Sequence, residues 1–211
     1  MTMCKKIDYK ELYEVLEAYN AKVNLTAIEG YENYMVKHIE DSKLGLPYIS
    51  GRVLDIGSGA GFPGLVIKNE KPECDVTLID SVRKKVDYLK HVIERFGLEG
   101  IRAVHTRIED FPEREAFDTV TARAVARLVT LAEYALPFVR KGGAFVAYKT
   151  PDDAELKEAE RAIGMLGGRM ETVKDLTPGG MSRRLIVICK VKSTPAGYPR
   201  RMNKPRTSPL T

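Results

Sequence analysis

The run Val53-Leu54-Asp55-Ile56-Gly57-Ser58-Gly59-Ala60-Gly61-Phe62-Pro63-Gly64 constrains this chain more than any other stretch. An apolar strand leads into an acid, then a glycine-dense turn, then a proline suited to the first position of a helix. Glycine accepts positive φ and lets a ligand come close to the backbone. A helix that starts there aims its unpaired N–H groups into the turn. The run predicts a cofactor loop at the carboxyl end of a buried strand.

Two ligands compete for such a loop. Gly59, Gly61 and Gly64 fit the G-x-G-x-x-G spacing of dinucleotide-binding proteins, a weak signal by itself. Asp55, two residues before the first glycine, disfavours a pyrophosphate and suits a ligand that carries an ammonium and a sulfonium. Asp-x-Gly-x-Gly resembles the loop of Rossmann-like S-adenosylmethionine-dependent methyltransferases. A second marker is Thr77-Leu78-Ile79-Asp80, an apolar strand whose terminal acid lies 23 residues after Gly57. An acid there can accept both hydroxyls of a ribose, so it serves either ligand.

With 211 residues the chain is long enough for one domain with a full core. No apolar run approaches the ~20 residues needed to span a membrane. Met1-Thr2-Met3-Cys4-Lys5-Lys6 lacks the apolar stretch of a signal peptide. Three scattered cysteines (Cys4, Cys74, Cys189) indicate neither a disulfide framework nor a zinc site, and His38, His91 and His105 add no ligand spacing. These features predict a cytoplasmic protein without metal, with a monomer as the default. The net charge of +5 is unevenly distributed: beyond Asp175 there are eight cations and no acid, which leaves 26 cations against 29 acids in residues 1–175. A slightly acidic body with a basic end suits a polyanionic partner, or a solvated tail with none.

Helical spacing over residues 8–23 (Leu12, Val15, Leu16, Tyr19, Val23) and 32–46 (Met35, Ile39, Leu46) predicts a helical preface over 1–50. Strand-like runs follow at 52–56, 75–79, 101–105, 117–121, 143–148, 169–175 and 184–191. Helical stretches at 63–69, 82–96, 127–139 and 152–166 separate the earlier ones. This alternation predicts an α/β fold of right-handed βαβ units over 51–192, around a mostly parallel seven-stranded sheet. Thr177-Pro178-Gly179-Gly180 is too short for a helix and predicts a terminal antiparallel hairpin. That ending is typical of methyltransferases and unusual in dehydrogenases. Residues 193–211 form a basic, proline-containing tail, which with Tyr198 suits contact with an RNA backbone and its bases. The expectation is that its loss leaves donor affinity unchanged.

Together the motifs resemble the guanine-N7 methyltransferases of small-subunit (16S) ribosomal RNA, the family first called glucose-inhibited division protein B. The markers span nearly the whole chain. They are Asn24-Leu25-Thr26, His38-Ile39-Glu40-Asp41-Ser42, the loop ending in Phe62-Pro63-Gly64, and Leu78 to Lys85. Thr121-Ala122-Arg123-Ala124-Val125-Ala126 and Thr194 to Arg201 complete the set. The N-terminus is shorter than is usual in that family. The resemblance implies a class I methyltransferase with S-adenosylmethionine as donor. Its substrate would be the decoding-region loop of 16S rRNA or the small subunit. It assigns the donor to Gly57, Phe62, Ile108, Glu109 and Arg123. Asp80 would hold the ribose, Phe62 would cover the ligand and Ile108 would pack on the adenine. Phe62 and Ile108 equally suit core packing, and Glu109 a helix start with Asp110. Arg123 is the expected catalytic residue, facing the donor's carboxylate or the guanine; otherwise it pairs with Glu133 or Asp118.

Acceptor chemistry narrows the reaction. Pyrimidine carbon methylation needs a cysteine nucleophile, and no cysteine follows the carboxyl end of a strand. Exocyclic amines are usually handled by an acidic or Asn residue, two prolines and an aromatic, and Pro-Pro is absent. Guanine N7 already has a free lone pair and needs no base. Two alternatives stay open: an NAD(P)-dependent oxidoreductase, and a non-catalytic donor-binding RNA module.

Overall fold

The computed structural model describes residues 6–123 and 126–210; Cys4 and the Ala124-Val125 part of the arginine turn lie outside them. Seven strands form one sheet in the order β3-β2-β1-β4-β5-β7-β6. They are β1 (Arg52–Ile56), β2 (Asp75–Asp80), β3 (Ile101–His105), β4 (Phe117–Arg123), β5 (Val139–Lys149), β6 (Gly168–Leu176) and β7 (Arg183–Lys190). The first five are mutually parallel, and β7 lies between β5 and β6, antiparallel to both. The hairpin ending expected from the short 177–180 link is present.

Side chains alternate across the strands, and both faces are buried. Val53, Val76, Leu78, Val146 and Leu185 face one core, Leu54, Ile79, Phe145, Ala147 and Ile186 the other. Helices α4 (Gly64–Glu70) and α5 (Arg83–Phe96) pack with the first core; α6 (Leu128–Ala135) and α7 (Asp153–Met165) pack with the second. The stretch expected as helix to 139 ends at Ala135. Pro137 follows directly, and β5 begins at Val139, earlier than the expected 143.

The preface shares the first core. Helix α1 (Tyr9–Val23) is capped by the Asp8 carboxylate, which accepts from the Lys10 amide, and buries Leu12, Val15 and Leu16. It ends at Asn24 in the left-handed region. The second helix, expected unbroken over 32–46, is α2 (Tyr31–Tyr34), a π-helical turn over Met35–Glu40, and α3 (Asp41–Lys43). The tail also folds. Its short α8 (Lys204–Thr207) packs on α6, with Thr130 Oγ1 donating to the Pro205 carbonyl at 2.9 Å.

Asp55 departs most from its expected role. Its carboxylate is fully buried, accepting from Thr121 Oγ1 at 2.8 Å and from the Gly64 amide at 3.3 Å. The acid therefore ties β1 to β4 and holds the start of α4, and lines neither of the two cavities described below. Gly64 is needed for this closeness: a Cβ there would lie 2.1 Å from Leu78 Cδ2.

Burial raises the Asp55 pKa to about 6, against hydrogen bonds from Thr121, Ser58 and Gly64 that lower it. An unfolded aspartate titrates near 3.9, so the native state keeps the extra proton between about pH 4 and pH 6. This group's contribution to stability falls as pH rises through that window and is level above it. Asp55→Asn, which can still accept from Gly64 while donating to Thr121, should therefore be less harmful or more stabilising at pH 7.5 than at pH 4.5. The expected difference is on the order of 1–3 kcal/mol. Denaturant midpoints at the two pH values measure it; an equal effect at both would remove the buried titration.

Candidate functional site

Two cavities open at the carboxyl ends of the strands, one on each side of the boundary between β1 and β4 where strand order reverses. The first, about 460 Å³, lies over β1, β2 and β3. Gly57, Asp80, Ile108, Glu109 and Tyr134 line it. Gly57 takes φ 68°, and its amide and that of Ser58 both donate to the Ile79 carbonyl. This bond pair folds the loop back over the end of β2. The Asp80 carboxylate accepts from Gly59 N at 3.0 Å and Val82 N at 2.8 Å, which fixes its orientation at the cavity edge. Each carboxylate oxygen keeps a lone pair for a ligand hydroxyl. Ile108 and Glu109 sit on a 3-10 turn after β3 and are both buried. Ile108 belongs to the second core as well as to the cavity wall.

Phe62 does not line either cavity. Its ring is 3% exposed and stacks on His38 with centroids 4.4 Å apart, while Tyr34 meets it edge-on at 5.8 Å. The core-packing alternative accounts for this contact between the loop and the preface.

The second cavity, about 290 Å³, lies over the ends of β4 and β5 and the start of β7. Lys37, His38, Asp41, Arg123, Lys149 and Arg183 line it. Arg123 pairs with neither expected acid, since Asp118 binds Arg140 and Glu133 binds Arg200. Its Nη1 donates to the Lys37 carbonyl at 2.8 Å and to Asp41 Oδ2 at 3.0 Å, and its Nη2 to His38 Nδ1 at 2.7 Å. Arginine cannot accept, so Nδ1 must, and the imidazole proton sits on Nε2, 3.1 Å from Thr26 Oγ1. Burial, helped by the Arg123 charge, lowers the His38 pKa to about 3 and keeps the ring neutral. Asp41, with no exposed surface, also accepts from Arg183 Nε at 2.9 Å.

Three of the five Arg123 N–H groups are thus held by described residues of the protein. The cavity combines four cations with one buried acid among its lining residues, a setting suited to an electron-rich, anionic partner. The sequence markers Asn24-Leu25-Thr26 and His38 to Ser42 acquire a reason here. Asn20 Oδ1 accepts from the Leu25 and Thr26 amides, Thr26 orients His38, and His38 and Asp41 hold Arg123. Lys37, Lys149, Arg183 and Tyr134 were not marked by the sequence as site residues. The one available signal was the i, i+3 spacing of His38 and Asp41, which puts both on one side of the stretch.

The basic C-terminal end is folded against the rest of the chain. Arg183, Arg184, Lys190 and Arg200 all make ion pairs within the chain, and Asn203 and Arg206 line the first cavity. Asn203 and Arg206 make the tail part of that cavity's wall, so its removal would open the cavity.

Among the described residues no cluster of His, Cys, Asp or Glu could hold a metal, and no helix is long and apolar enough to cross a membrane. The family model for rRNA small subunit methyltransferase G (GidB) matches residues 5–186. A protein named ribosomal RNA small subunit methyltransferase G from Clostridium novyi (strain NT) is 39% identical over 215 residues, covering 97% of this chain and 87% of the relative. One of the same name from Acetivibrio thermocellus is 42% identical over 207 residues, covering 94% and 86%. Among solved structures, a geranyl diphosphate methyltransferase in complex with GPP and sinefungin superposes with a TM-score of 0.57 at 14% identity, covering 72% of this chain and 77% of that one; this likeness concerns the fold alone. The seven-stranded sheet is the class I methyltransferase architecture, and the chain belongs to the rRNA small subunit methyltransferase G family.

Proposed function

We propose that this chain transfers a methyl group from S-adenosylmethionine to N7 of a guanine in 16S rRNA, acting as a cytoplasmic monomer on the RNA or the small subunit. The observation that carries the proposal is the pair of adjoining cavities at the carboxyl edge of the sheet, one suited to a nucleoside and one cationic. The names of the relatives supply the RNA.

The first cavity fits the donor. Its volume suits a ligand of that size. Asp80 would accept from the ribose hydroxyls, Ile108 would pack on the adenine, and Glu109 and Gly57 would complete the walls. When bound, S-adenosylmethionine supplies an activated methyl on a sulfonium. The protein's task is then positioning, which carries most of the advantage in an in-line displacement. N7 of guanine presents its lone pair without losing a proton, so no general base is required. This agrees with a second cavity whose imidazole, His38, stays neutral and already makes hydrogen bonds through both nitrogens. Arg123 would offer N–H groups to the guanine edge, and Lys37, Lys149 and Arg183 would draw in the phosphates. The same cations disfavour the positively charged N7-methylguanine once it forms, and so promote its release. An oxidoreductase reading has no corresponding support in the second cavity.

S-adenosylmethionine should raise the melting temperature with saturation while NADH does not. Gly57→Val should abolish the shift, because a β-branched residue is strained at φ 68°. Calorimetry that found NADH binding instead would overturn the assignment.

Arg123→Ala should lower both transfer and stability, since it leaves Asp41 and His38 short of a buried partner. Arg123→Lys separates the two roles. It keeps a charge beside Asp41 but cannot reproduce the directed fork, so RNA methylation should fall at least about tenfold with donor affinity little changed. Full transfer by the lysine variant would leave Arg123 as an anchor for the preface alone.

A further inference from the structure

The first cavity has a wall that belongs to the tail. Asn203 and Arg206 line it across from Asp80 and Glu109. Three contacts hold this segment in place. Glu133 of α6, whose side chain is 1% exposed, receives both Arg200 Nε at 2.8 Å and Nη2 at 2.7 Å, and also the Arg200 amide at 2.9 Å. Arg200 Nη2 donates onward to the Ser208 carbonyl at 2.9 Å, spanning α8 from one end to the other. Pro205 is buried, with its carbonyl bound by Thr130. Between these anchors the chain reverses through two successive left-handed residues, Met202 (φ 58°) and Asn203 (φ 57°). Such a backbone persists only where its surroundings hold it. Here it leaves Met202 89% exposed and sets Asn203 at the cavity.

We infer that the segment Arg200–Ser208 is part of the donor-binding site, with Asn203 as a direct contact to the adenosine portion and Arg200 as a positioning residue that acts through its pair with Glu133. This rests on the proposed function above, in that the first cavity takes the methyl donor. The chemistry is apt: a carboxamide offers a donor and an acceptor together, as the edge of an adenine requires. A buried acid that receives three charge-assisted or directed bonds from one arginine fixes a loop far more firmly than an exposed pair. The charge of Arg200 is therefore directed inward, toward the protein.

The test uses the full chain and S-adenosylhomocysteine, with Kd measured by titration calorimetry, and methylation kinetics with 16S RNA. Asn203→Ala should raise Kd about threefold to tenfold, with the melting temperature lowered by no more than about a few degrees, the cost of alanine at φ 57°. Arg200→Ala should raise it at least tenfold, and Arg200→Lys should recover little of the loss because it cannot reproduce the fork. In both Asn203→Ala and Arg200→Ala, KM for the donor should rise while kcat at saturating donor stays within about twofold, a division that general unfolding would not produce. Lys204→Ala, exposed on α8 and outside the cavity lining, should match the parent in donor Kd. Should Arg200→Ala prove unstable, Asn203→Ala decides alone, since it leaves the anchors intact. Parent-like donor affinity in Asn203→Ala, or an Arg200→Ala protein that loses only RNA affinity and its salt dependence, would overturn the inference and make the tail an RNA arm. If the parent itself fails to bind S-adenosylhomocysteine, the functional reading falls and this inference with it.

Discussion

Asp41 is the point on which the site's geometry depends. A carboxylate with no exposed surface must be compensated, and it is compensated from two directions: by Arg123 at the end of β4 and by Arg183 at the start of β7. These three residues join the preface, the middle of the sheet and the terminal hairpin. The π-helical turn just before Asp41 belongs to the same arrangement. Its Lys37 carbonyl accepts from Arg123, and its His38 presents a neutral nitrogen to the same guanidinium. Irregular helical turns of this kind recur where a side chain or carbonyl must be re-aimed. The preface is thus one wall of the second cavity.

A related economy governs the glycine loop. Asp55 stands where an acid could meet a cationic ligand, yet its bonds go to Thr121 and the Gly64 amide. The loop is shaped by a buried carboxylate beneath it, and the acids that line the first cavity are Asp80 on the next strand and Glu109 after β3. The separation is physically sensible. The buried acid stabilises the turn and the first helix, and Asp80 remains available for hydroxyl groups.

Much of this was legible in the sequence. Apolar alternation located the strands, the short 177–180 link gave the hairpin, and the spacing from Gly57 to Asp80 located the first cavity. What escaped depends on long-range pairing. Arg123 and Asp41 lie 82 residues apart, and no local pattern links them. The tail's packing was hidden for a similar reason. Its bases and prolines suited an RNA contact or a solvated end, while their partners in the chain, Glu133 and Thr130, sit within α6, where Pro199 and Pro205 are buried. One clue was present. Glu133 interrupts the apolar helix Leu-Val-Thr-Leu-Ala-Glu-Tyr-Ala, and an acid buried in such a helix demands a cation from elsewhere. Phe62 is a different case, since an aromatic beside a glycine loop suits a ligand cover and a packing contact equally, and only the fold shows that its ring stacks on His38.

The strand order also sets a schedule. β7 is the last strand in the chain but sits inside the sheet, between β5 and β6, and Asn203 and Arg206 follow it into the cavity wall. A chain still emerging from the ribosome can pair β1 to β5 in sequence, but β6 must wait at a distance, without a neighbour, until residues 183–190 arrive. Only then does Arg183 reach Asp41 and the final segment reach α6. Both cavities are therefore finished by about the last seventh of the polypeptide, so a chain that stops short of it possesses the loop and the parallel strands but neither complete cavity.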